Sequence, residues 1–180
     1  MKPLGNKINN NRIVFKLGGK SISDGEKAKK LAEKVLFKLK TGKQIAIVVS
    51  ATGDTTDLLI RYCEKACGGK VSKKDLDEIV AMGERTSARL FAATLKAQGA
   101  NTKFLDPSDI DWPIITDDNF GDANPLESEC LPKIRSKLEQ LFNENIIPVM
   151  PGFIGKTLRG EITTLVGVEA TQQLSLSLKP

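Results

Sequence analysis

Histidine is absent from this 180-residue sequence, and aromatic side chains are few, with one tryptophan and one tyrosine. Without histidine, the chain cannot form a Ser-His-Asp or Cys-His nucleophile pair or the common zinc-site patterns. Any catalysis must therefore use Lys, Arg, Asp, Glu, backbone amides or an ion brought by a ligand. Because aromatic residues do not alternate with basic ones, a nucleic-acid-binding surface is supported only by the net charge of +5.

Long apolar runs are also missing, and cysteines are few. No segment has the length of a membrane span, and the first ten residues lack the apolar stretch of a secretion signal. The number of cysteines, three, is odd, and together with the lack of a secretion signal it favours free thiols in a reducing compartment. We therefore expect a cytoplasmic protein without a membrane partner. Cys63 and Cys67 are interpreted as small half-buried residues on one helix face rather than as a metal site.

Short apolar runs alternate with amphipathic segments along the chain. Strands are predicted for RIVFKL, QIAIVVS, NTKFLD, PIIT and IIPVMPGFIG, with a hairpin around Gly160. A helix is predicted to begin after Ser23 or Asp24, which can cap it, and to end at Gly42. It carries many lysines, but its apolar residues recur at helical spacing, so we interpret the lysines as a solvent-exposed face. The alternation predicts an α/β fold, a three-layer αβα sandwich with a mostly parallel open sheet.

Ligands of open parallel sheets bind beyond the carboxyl ends of the strands. The turns expected to matter therefore follow Leu17, Val49, Leu105 and Ile154. Each turn carries Gly, Ser, Thr, Asp or Lys.

The turn after the first strand, in VFKLGGKS, resembles the end of a P-loop but is not one. A P-loop needs a glycine five positions before Gly19, and that position is Val14, inside the predicted strand. What remains is Lys16 followed by two glycines, which let the backbone approach a ligand and present amides to a phosphoryl group. A tight turn with a surface lysine explains this stretch equally simply, and on its own it is the favoured alternative.

Four further stretches strengthen the ligand hypothesis. They are VVSATGDTTDLL, MGERTSARLFAATLKAQG, IITDDNFGD and PVMPGFIGKTLRGEITTL. Together with VFKLGGKS, in order and spacing, they resemble the aspartate kinase (aspartokinase) branch of the amino-acid kinase superfamily. The resemblance covers about residues 14–165, and five motifs in sequence make it specific where any single one is weak.

The resemblance implies a reaction and its ligands. Aspartate kinases transfer the γ-phosphoryl group of ATP, with Mg²⁺ carried by the nucleotide, to the β-carboxylate of L-aspartate. The product is 4-phospho-L-aspartate, and the step opens lysine, threonine and methionine biosynthesis. A carboxylate acceptor is already ionised at neutral pH, so the reaction needs no general base. The lack of histidine is therefore compatible with this reaction.

The same resemblance implies roles for individual residues. Lys16 would bridge the acceptor and the transferring phosphoryl group, while Thr56 and Glu84 would bind aspartate, with Glu84 facing its ammonium group. Contacts with the nucleotide phosphates would come from Gly18, Gly19 and Ser21.

Plainer explanations exist for several of these residues. Glu84, with Arg85 placed near the start of its helical segment, is also explained as a helix N-terminal carboxylate stabilised by the macrodipole. Thr56 is also explained as a helix cap, and Arg85 is interpreted as structural. Lys20 stands where the family usually has threonine, which changes the expected phosphate contacts.

The resemblance ends after Leu165, where the family reads Gly-Arg-Gly-Gly-Ser-Asp and this chain reads VGVEAT. Read one base out of frame, degenerate codons for residues 165–171 permit the family sequence, so we hypothesise a lost base near codon 165. The resulting division is a flexible lead-in, 1–10, an N-terminal substrate-binding lobe, 11–165, and a divergent tail, 166–180. Such a tail is expected to pack poorly and to leave a sheet edge uncovered.

Two alternative functions, and the assembly of the protein, remain open at this point. A related kinase for glutamate, uridylate or N-acetylglutamate shares the fold, although Gly-Glu-Arg with Ser-Ala-x-Gly-x-Thr-Thr favours aspartate. A non-catalytic amino-acid-binding module is favoured by the missing Arg-Gly-Gly-Ser-Asp. The assembly is also undetermined, with a homodimer among the alternatives.

Overall fold

Seven strands and four helices follow one another along residues 11–165, the part of the chain that this computed structural model describes. The predicted lead-in, 1–10, and the predicted out-of-frame tail, 166–180, lie outside the described residues. The strands are β1 Arg12–Leu17, β2 Gln44–Val49, β3 Thr102–Phe104, β4 Ile115–Thr116, β5 Ile147–Pro151, β6 Ile154–Thr157 and β7 Ile162–Thr164. The helices are α1 Gly25–Lys40, α2 Thr55–Ala66, α3 Lys73–Ala97 and α4 Glu127–Asn143.

The larger sheet is parallel throughout and has the strand order β1-β2-β5-β3. Its register pairs Leu17 with Val49 and Val49 with Pro151, so β1, β2 and β5 end at the same edge. A second sheet has the order β4-β6-β7, with β4 parallel and β7 antiparallel to β6. The predicted α/β class with a mostly parallel sheet is therefore confirmed.

Both faces of the parallel sheet are covered, which explains the nearly continuous apolar run of β2. Ile45, Ile47 and Val49 pack with residues of α1 and α3 on one face. Ala46 and Val48 pack with residues of α4 on the other. This alternation produces the predicted αβα layering, and every residue of β2 after Gln44 is buried.

The helix boundaries follow the predicted signals. The Asp24 carboxylate accepts a hydrogen bond from the Lys27 amide at 2.8 Å and so caps α1. At the other end, Gly42 adopts a φ of 79°, the left-handed conformation that terminates helices. The predicted hairpin is also confirmed, because β6 and β7 pair antiparallel around Gly160, whose φ is 87°.

One predicted strand is wrong: IIPVMPGFIG forms two strands in different sheets rather than one. The chain turns at Gly152, where the amide donates to Val49 O at 3.0 Å and to the Glu84 carboxylate at 3.2 Å. A Cβ there would lie 2.9 Å from Val48 Cγ1, so the bend depends on glycine. The turn beyond the sheet edge therefore starts after Pro151 and not after Ile154.

The cysteine interpretation needs correction as well. Cys63 is buried within α2, whereas Cys67, the residue that follows the helix, is exposed, so the pair is not equally half-buried. Among residues 11–165, no group of three or more His, Cys, Asp and Glu side chains could hold a metal ion. Over the same residues, no helix has the length and apolar character needed to cross a membrane.

A methyl group at Gly155 should disrupt the smaller sheet. In β6 its Cβ would lie 2.2 Å from Thr116 Cγ2 and 3.0 Å from Thr163 Oγ1, between two strands that cannot separate without losing their pairing. We expect Gly155→Ala to lower the free energy of unfolding in chemical denaturation by about 2 kcal/mol. Gly25→Ala is the control, since its Cβ would meet nothing within 4 Å. Equal stability of the two variants would show that the sheet has room at β6.

Candidate functional site

The turns after β1, β2 and β5 meet beneath helix α3, at the edge where the parallel strands end. Glu84 lies near the middle of this 25-residue helix, far from its first turn. The alternative explanation of Glu84 as a helix N-terminal carboxylate is therefore wrong, because the macrodipole acts mainly within the terminal turns. The helix instead brings a carboxylate from above to the sheet edge.

The Glu84 carboxylate joins two of these turns. One oxygen, Oε1, accepts from the Ala51 amide at 2.9 Å, and the other, Oε2, accepts from the Gly152 amide at 3.2 Å. Ala51 follows β2 and Gly152 follows β5, so one side chain fixes the backbone beyond two neighbouring strands. Glu84 is only 4% exposed. A carboxylate has about four lone-pair sites, so one remains for a further donor after the amides of Ala51, Gly152 and Phe153.

The pKa of Glu84 lies above its ordinary value, chiefly because burial opposes the charged form. Hydrogen bonds from the amides of Ala51, Gly152 and Phe153 act in the opposite direction, as does the positive charge of Lys16. The candidate phosphoryl-binding lysine and the candidate substrate carboxylate therefore lie within electrostatic reach of each other. The Lys16 side chain is itself exposed, at the penultimate position of β1.

The glycine turn packs against the turn after β2. A Cβ on Gly19 would lie 2.1 Å from Ala51 O, and Gly53 N donates to Gly19 O at 3.3 Å. Gly18 is extended and has open space where a Cβ would be. Gly19 is thus required by the close approach of two backbones, and it places the turn that holds Lys16 next to the turn that Glu84 fixes.

The remaining candidates lie on the same rim without contacting Glu84. Ser21, in the short 3-10 helix after Gly18, has an exposed side chain, and its amide donates to Gly18 O at 2.9 Å. Thr56 is the second residue of α2, half-buried, and its hydroxyl has no hydrogen-bond partner among residues 11–165. The explanation of Thr56 as a helix cap is wrong, because Asp54 occupies the capping position.

Helix α3 carries two more buried polar side chains that sequence reasoning missed. Asp77 accepts from Gly121 N at 2.9 Å and from the amide and hydroxyl of Thr164 at 3.0 and 2.6 Å. Ser87 accepts from the Thr52 amide at 2.9 Å. The spacing of 77, 84 and 87 puts all three on one helix face, a signal that the sequence does contain. This face of α3 holds the loops around the site in place.

Neighbouring charges are structural. Arg85, interpreted as structural from the sequence, forms an ion pair with one carboxylate oxygen of Asp106 at 2.7 Å. Arg89 forms an ion pair with the other oxygen of Asp106, also at 2.7 Å. Partial burial opposes ionisation of Asp106, but hydrogen bonds from Ser108 and the charge of Arg85 outweigh it and hold its pKa below the ordinary value. Lys20, the departure from the family pattern, is exposed.

The amino acid kinase family model matches residues 11–171. This chain belongs to the amino acid kinase family. Among its curated relatives is an aspartokinase of Thermus thermophilus, which is 37% identical over 153 residues. That match covers 85% of this chain and 36% of the relative, so the chain spans about a third of the length of such relatives.

Solved structures of this family share the fold. Escherichia coli aspartokinase III in complex with lysine and aspartate matches with a TM-score of 0.78 at 21% identity, over 93% of this chain and 47% of that one. The same enzyme in complex with aspartate and ADP matches with a TM-score of 0.74 at 23% identity, over 92% and 45%. At these identities the likeness shows the fold alone.

The two glycines of the turn should respond differently to the same substitution. Gly19→Ala would place a Cβ against the backbone oxygen of Ala51, which cannot move aside without shifting the turn after β2. We expect a loss of about 3 kcal/mol in the free energy of unfolding for Gly19→Ala. Gly18→Ala, with open space and a compatible backbone, is the matched control and should be nearly neutral. Chemical denaturation of both variants measures the difference, and equal losses would refute the close approach.

The raised pKa of Glu84 predicts a pH dependence of stability. The folded state holds the Glu84 proton more tightly than the unfolded state, so the contribution of this group to stability decreases as pH rises from the unfolded pKa through the folded one. We expect the difference in unfolding free energy between wild type and Glu84→Gln, measured by denaturation from pH 4 to pH 8, to shift against wild type as pH rises. A difference that favours wild type increasingly at higher pH would mean that the pKa is lowered instead.

Proposed function

We propose that this chain has an aspartate kinase-like function, in which residues 11–165 form the substrate-binding lobe. The reaction is the transfer of the γ-phosphoryl group of ATP to the β-carboxylate of L-aspartate, giving 4-phospho-L-aspartate at the entry to lysine, threonine and methionine biosynthesis. The chain spans about a third of the length of its curated relatives, so the activity, its substrates and its product are all part of this proposal. A cytoplasmic location and a homodimeric assembly are parts of the same proposal.

The observation that carries the proposal is the buried Glu84 carboxylate at the meeting point of three strand ends. Its desolvation is only partly offset by the amides of Ala51 and Gly152 and by Lys16. A ligand ammonium group would complete that compensation through a charge-assisted hydrogen bond to a free lone pair. An amino acid offers one such cation together with anionic groups, and Lys16 and the Thr56 hydroxyl provide matching partners for the anions.

The acceptor oxygen of the ligand would attack the γ-phosphorus, and the bond from that phosphorus to the bridging oxygen of ADP would break. A β-carboxylate attacks in its ionised form, so no proton is removed in the step. The contribution of the protein is therefore position and charge. Lys16 supplies a cation near the transferring group, while Gly18, Gly19 and Ser21 would contact the phosphates of the nucleotide.

Magnesium fits this site only as part of the nucleotide. The described residues, 11–165, hold no cluster of three metal-ligating side chains, and Lys16 rather than a carboxylate stands beside the glycine turn. When bound through the phosphates, Mg²⁺ would neutralise their developing charge. Support for the ligands comes from aspartokinase III of Escherichia coli, which has been solved in complex with aspartate and ADP.

A second candidate function is aspartate binding without turnover. The residues after Leu165 read VGVEAT where the family pattern has Gly-Arg-Gly-Gly-Ser-Asp, and that pattern supplies an arginine for the substrate carboxylate. Lys16, Thr56 and Glu84 are all present in the described part of the chain. Binding and transfer can therefore be lost separately, and a measurement must address each of them.

Calorimetric titration with L-aspartate tests the binding step directly. We expect wild type to bind and Glu84→Gln to bind at least about tenfold more weakly, because a buried hydrogen bond to a charged partner is lost. Since the pKa of Glu84 is raised, affinity should already fall as pH drops through a value above that of an ordinary glutamate. Absence of binding by wild type would refute the proposed function.

A coupled assay of ADP release, run beside the titration, distinguishes the two candidates. Aspartate-dependent turnover supports the kinase, and binding without turnover supports the second candidate. Lys16→Met should reduce turnover by about 100-fold, because it removes a preorganised charge from the transferring group. Lys34→Met, at an exposed lysine of helix α1, is the control and should leave turnover within about twofold.

A further inference from the structure

Ser87 makes three hydrogen bonds with its one hydroxyl group. Its oxygen lies 2.9 Å from the Thr52 amide, 2.9 Å from the Thr52 hydroxyl and 2.9 Å from Gly83 O, one helical turn earlier. A carbonyl can only accept, so the Ser87 proton is donated to Gly83. The Thr52 hydroxyl must then donate to Ser87, as the Thr52 amide does. One donor and both acceptor positions of the hydroxyl are thereby used.

This saturation excludes Ser87 from direct contact with a ligand. The residue is also only 4% exposed. Any effect of Ser87 on ligand binding must therefore pass through Thr52. This residue lies in the turn after β2, the same turn that Glu84 fixes. Helix α3 thus holds two successive amides of this turn, with Glu84 binding Ala51 N and Ser87 binding Thr52 N.

Thr52 in turn fixes the start of helix α2. Its carbonyl accepts from the Thr55 hydroxyl at 2.6 Å and from the Thr55 amide at 3.2 Å. Thr55 also packs against α3, where a Cβ on Gly83 would lie 3.1 Å from Thr55 Cγ2. The residue that follows is Thr56, the candidate partner of the substrate. A continuous series of contacts therefore joins Ser87 to Thr56.

We infer that Ser87 is a positioning residue for the amino-acid substrate, which orients the first turn of α2 so that the Thr56 hydroxyl faces the ligand. This inference rests on the proposed function and adds to it a residue that does not contact the substrate. Loss of the Ser87 hydroxyl leaves the Thr52 amide without its partner and frees the turn, while both hydrogen bonds of Glu84 remain. Substrate binding then weakens although the ammonium partner is intact.

The test combines amide hydrogen exchange with titration of L-aspartate, using Ser87→Ala. We expect exchange of the Thr52 amide to become about tenfold faster, because its hydrogen bond is lost, while the Ala51 amide keeps the wild-type rate. The dissociation constant of L-aspartate should rise about fivefold to tenfold. Thr94→Ala is the matched control, since it removes a hydroxyl of the same helix that donates to Leu90 O, and it should change neither quantity.

Thr52→Val provides a second variant that leaves helix α3 untouched. It removes the hydroxyl that donates to Ser87 but keeps the Thr52 amide, so we expect a smaller rise in the dissociation constant, about twofold to threefold. Its effect should largely disappear when Ser87 is already alanine, because the two changes remove the same contact. Fully additive effects would overturn the positioning role.

The outcomes separate this inference from the proposed function. If wild type binds L-aspartate and Ser87→Ala binds it equally well, the positioning role is wrong and the proposed function stands. A weakening that accompanies faster exchange of both the Thr52 and Ala51 amides would reveal general loosening and would also overturn the positioning role. If wild type does not bind L-aspartate, the proposed function fails, and the positioning role fails with it.

Discussion

The arrangement of this site depends on the two hydrogen bonds that the Glu84 carboxylate accepts, from Ala51 N and Gly152 N. A buried carboxylate is costly unless donors surround it, and here the donors are backbone amides that follow two adjacent strands. The same contact therefore satisfies the carboxylate and fixes the rim of the sheet. It also explains why the chain bends at Gly152 and leaves the parallel sheet.

Close backbone approach completes the rim. Gly19 has no room for a side chain beside Ala51 O, so the turn after β1 lies directly against the turn after β2. Lys16 precedes that turn, and its charge reaches Glu84. Helix α3 holds the whole arrangement from above: Glu84 and Ser87 bind successive amides of the turn after β2, and Asp77 binds the Gly121 amide. A cation and an anion thus lie on one rim, the arrangement that the proposed amino-acid substrate would need.

Much of the fold could be predicted from the sequence because its signals are local. The apolar run of β2, the Asp24 cap and the turn glycines each report on a few neighbouring residues, and Val14 alone excludes a P-loop. The division of IIPVMPGFIG between two sheets could not be predicted, because the bend is set by Glu84, which lies 68 positions away from Gly152 in the sequence. The two glycines after β1 illustrate the same limit. Both were expected to admit a ligand, yet Gly19 is required by a neighbouring backbone.

We propose that the turns after β1, β2 and β5 form one pocket for an amino acid whose ammonium group binds Glu84. Backbone amide chemical shifts measured during titration with L-aspartate test it most directly, with succinate as the comparator because it has the two carboxylates but no ammonium group. We expect shifts that concentrate at Gly19, Ala51, Thr56 and Gly152 with L-aspartate and are far smaller with succinate. Equal shifts with the two ligands, or shifts confined to other parts of residues 11–165, would contradict it.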